Sequence, residues 1–366
     1  MKRRIMFAGG GTGGHLFPAF ALAGEFERRL QNECEIRFLV TGRDLEMKLI
    51  SARGYQTSRI HVQGLKRGTL FGNLTFFPTL AVGLVEAVGR IVRYNPDFVV
   101  GTGGYLSFPA VLAAKLTNRP AFIQEQNSYA GIATRKLARF ADLIFLAYEE
   151  AMKYISFHDK CVFAGNPVNA RFGEVRDEEG CALFGLDQHK KTLLICGGSQ
   201  GAASINAKVR QSLQQLKEIS NLQILWQTGN HPEEIEAFNQ AGIAGKALPF
   251  IDDMPAAYAF ADLIMSRAGA LTLSEITATG KPAILVPFPA ATDDHQTKNA
   301  ESLVNAGAAI LVKDNQLSDL NLVSLISQLL KDENKLAAMS AASLSLGRRG
   351  AAETIVQKIF EYMGWR

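Results

Sequence analysis

Four cysteines in 366 residues are too few and too scattered for a disulfide framework. Cys34, Cys161, Cys181 and Cys196 form no C-x-x-C pair and have no histidine at ligand spacing. A reduced, intracellular chain without a metal site is therefore expected. Long apolar runs are also missing. The longest, Phe76 to Val85, is broken by Pro78 and falls short of the ~18 residues a membrane span needs. Met1-Lys2-Arg3-Arg4 begins like a signal peptide, but only a few apolar residues precede Gly9, against the roughly 7–15 of a secretory core. Neither sign of charge dominates. Lys and Arg number 39 and Asp and Glu 35, a net +4. That balance allows a basic face toward an anionic surface and argues against a nucleic-acid partner. No D-x-D triplet occurs, so paired aspartates holding a divalent ion are not expected.

What is present is a repeating rhythm. Short apolar runs at 4–8, 35–40, 97–101, 120–124, 142–146 and 160–164 alternate with helical patterns at 15–30, 78–93, 106–117 and 130–139. Strands this uniformly apolar are buried on both faces, and strand–helix alternation predicts a parallel sheet covered by helices. The rhythm restarts at 192–196, with further strands expected at 222–226, 246–250, 262–266, 282–286 and 308–312. The fold class is therefore α/β, two doubly wound Rossmann-like domains facing across a cleft. The expected division is an N-terminal domain over 1–164, a linker region over 165–190, a C-terminal domain over 191–346 and a last helix over 347–366 that packs back on the first domain.

Three glycine loops punctuate this pattern. Gly9, Gly11 and Gly14 fit G-x-G-x-x-G after a strand, the dinucleotide fingerprint. Such a site needs an acid at the tip of the second strand, which here ends Val40-Thr41-Gly42-Arg43 with none. The loop also has a twin: GTGGHLFPA at 11–19 recurs as GTGGYLSFPA at 101–110, each opening a helix with Pro in its first turn. A simple dehydrogenase has no use for the twin or for the third loop, Gly197 to Gly201. The better nucleotide site follows the strand 262–266. The backbone N–H groups at Ala270, Leu271 and Thr272 would open a helix suited to phosphate. Glu275, one turn on, can accept from a ribose diol, or be a solvated helix glutamate. The turn Pro287 to Gln296 is rich in groups suited to sugar hydroxyls, and an Asx-type turn accounts equally for Asp293 and Asp294.

GGGTGGHLFPA, GTGGYLSFPA, QEQNSYAG, FAGNPV, GGSQGA, FIDDM, SRAGALTLSE and DDHQTKNA occur in this order across most of the chain, and together they resemble the MurG family. The resemblance implies the GT-B architecture, with an acceptor- and membrane-facing N-terminal domain and a UDP-GlcNAc-binding C-terminal one. It implies transfer of N-acetylglucosamine from UDP-GlcNAc, with inversion, to the 4-hydroxyl of the MurNAc of a lipid-linked acceptor, lipid I, giving lipid II for peptidoglycan. No cofactor is implied. On the donor side it points to Ile251 for the uracil edge with Met254 nearby, and to Glu275 for the ribose. Ala270, Leu271, Thr272, Leu273 and Ser274 would line the diphosphate and sugar, Ser199 would contact phosphate, and Gln296 the GlcNAc hydroxyls. Thr12, Gly13, Gly14 and Asn127 would reach the donor from the N-terminal side, and Gly103, Gly104 and Tyr105 the acceptor. Where family members commonly carry Arg after GNPV, this chain has Asn169, with Arg171 the nearest arginine.

An inverting displacement needs a base for the acceptor hydroxyl, and His15, at the first glycine loop, suits that work near neutral pH. Its alternative is a capping or positioning role. The lipid-linked acceptor also calls for a surface that meets an anionic membrane. Lys66, Arg67, Leu70, Phe71, Phe76 and Phe77 combine basic and crowded apolar residues as interfacial attachment does, whereas Leu80, Leu84, Val88 and Ile91 form a core-facing stripe. A buried loop or self-association patch is the alternative. The expected place is the cytoplasmic face of a bacterial plasma membrane, with other cell-wall synthesis proteins as candidate partners. Two other readings remain open, a UDP-GlcNAc 2-epimerase-like enzyme and a non-catalytic UDP-sugar-binding or scaffold protein.

Overall fold

Parallel strands buried on both faces need helices above and below, and both halves of the chain meet that need. The structure, a computed structural model, describes residues 2–10, 13–31, 33–64, 76–198 and 200–365. It divides into two units, Met1–Val168 with Gly350–Arg366, and Asn169–Arg349.

The first unit holds β1 (Arg3–Ala8), β2 (Cys34–Val40), β3 (Gln56–Arg59), β4 (Phe98–Gly101), β5 (Ala121–Glu125), β6 (Leu143–Leu146) and β7 (Cys161–Phe163). All pair in parallel, in the order β3-β2-β1-β4-β5-β6-β7. The helices are α1 (Gly13–Arg29), α2 (Asp44–Ser51), α3 (Phe76–Tyr94), α4 (Ser107–Leu116) and α5 (Ile132–Leu137). The order reverses between β1 and β4, where Ala8 lies beside Gly101, so the twin glycine loops emerge side by side. That is the switch point at which doubly wound sheets bind ligands.

The second unit repeats the plan. α6 (Asp177–Phe184) precedes β8 (Lys191–Cys196), and α7 (Ala203–Lys217), β9 (Leu222–Gln227), α8 (Pro232–Ala241) and β10 (Gly245–Leu248) follow. Then come α9 (Met254–Ala259), β11 (Leu263–Ser266), α10 (Ala270–Thr279), β12 (Ala283–Leu285), α11 (His295–Asn305), β13 (Ala309–Leu311), α12 (Leu322–Lys331) and α13 (Glu333–Leu346). The strand order β10-β9-β8-β11-β12-β13 puts the switch point between β8 and β11.

The chain's last helix, α14 (Ala351–Met363), belongs to the first unit and packs on α1. Ile355, Val356, Ile359 and Phe360 are buried there among Phe7, Phe26 and Phe98. Each such side chain contributes roughly 1.5–3 kcal/mol of burial. Trp365 completes the seal, with Phe98 5.5 Å away and the Arg3 guanidinium 4.3 Å from its ring centre.

Three local expectations change. β3 reads QTSR, a polar edge strand with no apolar run to announce it. The stretch expected to be a linker carries α6, whose Gly180 lies so close to α9 that a Cβ would come 2.5 Å from the Ala256 carbonyl. α1 starts at Gly13, so Pro18 sits past the first turn and withholds the N–H that would bond the Gly14 carbonyl.

Candidate active site

Glycine at the twin loops of the first unit is a steric requirement. A Cβ on Gly9 would lie 1.8 Å from Thr102 Oγ1, and one on Gly103 would lie 2.6 Å from His15 Nδ1. Gly103 also has φ +101°, where side chains are rarely accommodated. Gly104 flanks the same ring, and a Cβ there would come 3.1 Å from His15 Cδ2. The second loop is thus the wall against which the imidazole of the first loop rests. Thr102 Oγ1 donates to the His15 carbonyl at 2.8 Å, and His15 Nδ1 meets Gln126 Oε1 at 3.2 Å. The loop after β5 is organised by buried Glu125, which accepts from Asn127 N and Nδ2, Gly131 N and Thr134 Oγ1. Asn127 is therefore held by its own neighbour. Tyr105 packs on Gly64 and lies 5.8 Å from the Arg43 guanidinium.

The acid absent from the tip of the second strand in sequence does reach it in space. The first turn of α2 folds Glu46 back so that Thr41 N, Thr41 Oγ1 and Gly42 N donate to its Oε2, at 2.9, 2.7 and 3.2 Å. Its other oxygen lies against Gly10, where a Cβ would come within 2.6 Å. That carboxylate is occupied in holding the loop, which still disfavours a dinucleotide there.

In the second unit, α10 opens at Gly269 with no side-chain cap. First-turn N–H groups have no intrahelical carbonyl to bond, and the helix dipole favours an anion there. Of the residues expected to serve, Ala270, Leu271 and Thr272 occupy that turn. Leu273 is fully buried with its N–H bonded to the Gly269 carbonyl, and the Ser274 hydroxyl donates back to the Ala270 carbonyl. Arg267, beside the loop, turns inward: it bonds the Val286 and Pro287 carbonyls and Ser204 Oγ, and pairs with Asp314.

Glu275 is part-buried, and desolvation pushes its carboxyl up to about 8. Its one described partner is the Tyr258 hydroxyl, a long donor at 3.4 Å. Neighbouring Cys196 is pushed by burial to about 12, and Tyr258 goes well above its usual range, so both stay neutral. A poorly solvated carboxylate with few donors is primed to accept hydroxyls from a ligand.

Ile251 is buried, and its N–H already donates to Gln227 Oε1 at 2.9 Å, while Gln227 Nε2 donates to the Gly198 carbonyl. What Ile251 can offer a pyrimidine edge is its carbonyl. Arg171 pairs with Asp253 at 2.8 Å, and Asp253 caps α9, which Met254 begins. Arg171 therefore braces the FIDDM loop. Gln296 Oε1 accepts from Phe288 N, which orients the side chain and turns its amide NH2 away from that contact. Asp293 and Asp294 both adopt left-handed φ, 54° and 52°, as residues of a tight Asx-rich turn do. Thr12, Ser199, Lys66, Arg67, Leu70 and Phe71 lie outside the described residues.

Phe77 is described and is 74% exposed, while Phe76 is partly covered. The sequence reading missed Val82, Val85 and Val92, also exposed on α3 at 52%, 72% and 63%. With Phe77 they make a second apolar stripe, opposite the inward-facing Gly83, Ala87 and Ile91. Their signal was present: α3 carries more apolar residues than one buried face requires. No helix among the described residues is long and apolar enough to cross a membrane.

Two doubly wound sheets, each with glycine loops at its switch point, make the GT-B architecture, and the family models place the chain among glycosyltransferases. Residues 5–146 match the glycosyltransferase family 28 N-terminal domain and residues 192–355 its C-terminal domain. A relative from Chlorobaculum tepidum, named UDP-N-acetylglucosamine--N-acetylmuramyl-(pentapeptide) pyrophosphoryl-undecaprenol N-acetylglucosamine transferase, is 39% identical over 97% of this chain and 98% of its own. One of the same name from Halothermothrix orenii is 38% identical over the same shares. The crystal structure of Acinetobacter baumannii MurG superposes with a TM-score of 0.73 at 28% identity, covering 98% of this chain and 99% of that one. The chain belongs to glycosyltransferase family 28 and, within it, to the MurG family of N-acetylglucosamine transferases.

Proposed function

We infer that this chain transfers N-acetylglucosamine from UDP-GlcNAc to the MurNAc 4-hydroxyl of a pentapeptide-bearing, undecaprenyl-diphosphate-linked acceptor, with inversion. The observation that carries the reading is the likeness to transferases of one name along essentially the whole chain. The local geometry supports a division of labour. In the second unit, the first turn of α10 takes the diphosphate, Glu275 the ribose hydroxyls, the Ile251 carbonyl the uracil and the Gln296 amide the sugar. In the first unit, His15 takes the proton from the acceptor hydroxyl, and the glycine loops around it let a sugar approach backbone N–H groups closely. Charge leaving with UDP is stabilised by the helix terminus.

The acceptor's polyprenyl tail stays in a bilayer, so the enzyme works at an anionic membrane surface. The outward stripe of α3 is the contact, with exposed Arg90 and Arg93 on the same helix beside the apolar residues. The test is UDP release from UDP-GlcNAc with and without a lipid I analogue. Release that depends on the acceptor is expected. Turnover of UDP-GlcNAc without acceptor would contradict transfer and favour an epimerase-like activity.

A further inference from the structure

We propose that Gln126 is a positioning residue that fixes the tautomer of His15, so that Nε2 carries the lone pair that receives the acceptor's proton. The proposal rests on the reading of His15 as the base. Gln126 is buried at 4% exposure just past β5, and its amide cannot be turned over. Its Nε2 is surrounded by three acceptors, the Thr102 carbonyl, the Gln124 carbonyl and Gln124 Oε1. A flipped amide would set an oxygen against three oxygens. Gln124 is itself oriented, because its Nε2 donates to Asn166 Oδ1 at 2.9 Å and Asn166 Nδ2 donates to the Gln126 carbonyl at 3.1 Å.

All three amides lie within the first unit, are buried and hold one consistent direction. Gln126 Oε1 is therefore what faces His15 Nδ1 at 3.2 Å, and an oxygen there requires a proton on Nδ1. In a neutral imidazole that leaves Nε2 as the basic nitrogen. Gly103 keeps the contact possible, since a Cβ would come 2.6 Å from Nδ1 and 2.9 Å from Oε1. An amide sets the tautomer without adding a negative charge, so it orients the ring without holding the proton that the base must later give up.

The test combines 15N NMR of the histidine ring with steady-state kinetics. In the wild type His15 is expected to show a protonated Nδ1 and an unprotonated Nε2. Gln126→Met, which keeps length and loses the acceptor, is expected to move the proton toward Nε2. It should also lower kcat about 10–100-fold, a part of the roughly 10²–10⁴-fold that general-base catalysis supplies, with KM for UDP-GlcNAc changed less than about threefold. Gln126→Glu, held protonated by the three acceptor oxygens around it, turns its O–H toward them and its C=O toward Nδ1, and should recover the tautomer and most of kcat. It also serves if Gln126→Met fails to fold. A proton on Nε2 in the wild type would overturn the proposal, as would unchanged resonances and kcat in Gln126→Met. Near-normal turnover in His15→Ala would instead overturn the base assignment, which separates the two failures.

Discussion

UDP-GlcNAc binding should depend on pH through Glu275, and the size of the effect follows from the site. Burial lifts this carboxyl from 4.5 to about 8, and the 3.4 Å Tyr258 contact does little to offset it. A ribose diol donates hydrogen bonds that the ionised form accepts best, so binding should draw Glu275 back toward its ordinary range and release a proton. If the ligand selects the ionised form, affinity falls about tenfold per pH unit below 8. That makes binding at pH 6 about 100-fold weaker than its plateau above pH 8, or about 2.7 kcal/mol. Cys196 and Tyr258 stay neutral over this range and do not contribute. UDP-GlcNAc is the ligand of choice because its diphosphate has no terminal phosphate to titrate. Calorimetry from pH 6 to 9, in two buffers of different ionisation heat, reads both affinity and protons released. Glu275→Gln should bind weakly and without pH dependence. A wild-type affinity flat from pH 6 to 9, or the same slope in Glu275→Gln, would refute the argument.

The same group sets a stability prediction. With its folded pKa raised, Glu275's contribution is fully present below 4.5 and is lost as pH rises through about 8. Glu275→Gln should therefore gain on the wild type between pH 5 and 9, by about 1–4 kcal/mol, under a ceiling of about 5. Unfolding followed at Trp226, which is buried in the second unit, in a Trp365→Phe background measures it. Gly103→Ala forces a methyl against His15 and Gln126 at φ +101°, and should lower kcat more than tenfold with about 1–3 kcal/mol lost in thermal melts. Gly89→Ala on exposed α3 meets nothing and should stabilise by about 0.5–1 kcal/mol in the same melts. Val85→Asp with Val92→Asp should weaken sedimentation with anionic vesicles at least tenfold while turnover of a short, soluble acceptor is kept. Equal sedimentation would remove α3 as the contact.

The doubly wound plan was legible because two-face burial writes itself into runs such as RIMFA and TLLIC, and parallel strands need long crossovers. The twin glycine loops were legible as a repeat, but their purpose needed the sheet order, which sets β4 beside β1 although some 90 residues separate them. Gln126 was not legible. Within Gln124-Glu125-Gln126-Asn127, sequence cannot tell which polar side chain turns toward His15, since that depends on how β5 sits two strands from β1. Glu46 escaped for a similar reason, because a helix turn carries it back to a strand tip it has already left in sequence. That Leu273 is buried and that the Ser274 hydroxyl bonds the Ala270 carbonyl were not legible either, because both depend on how α10 is turned on its sheet.

The most direct measurement is the structure of the product formed from labelled UDP-GlcNAc and a lipid I analogue. A lipid-linked disaccharide with GlcNAc joined β-1,4 to MurNAc, read from its anomeric coupling and long-range NMR correlations, is what the account predicts. An α-linkage, attachment at another hydroxyl, or an epimerised nucleotide sugar with no disaccharide would contradict it.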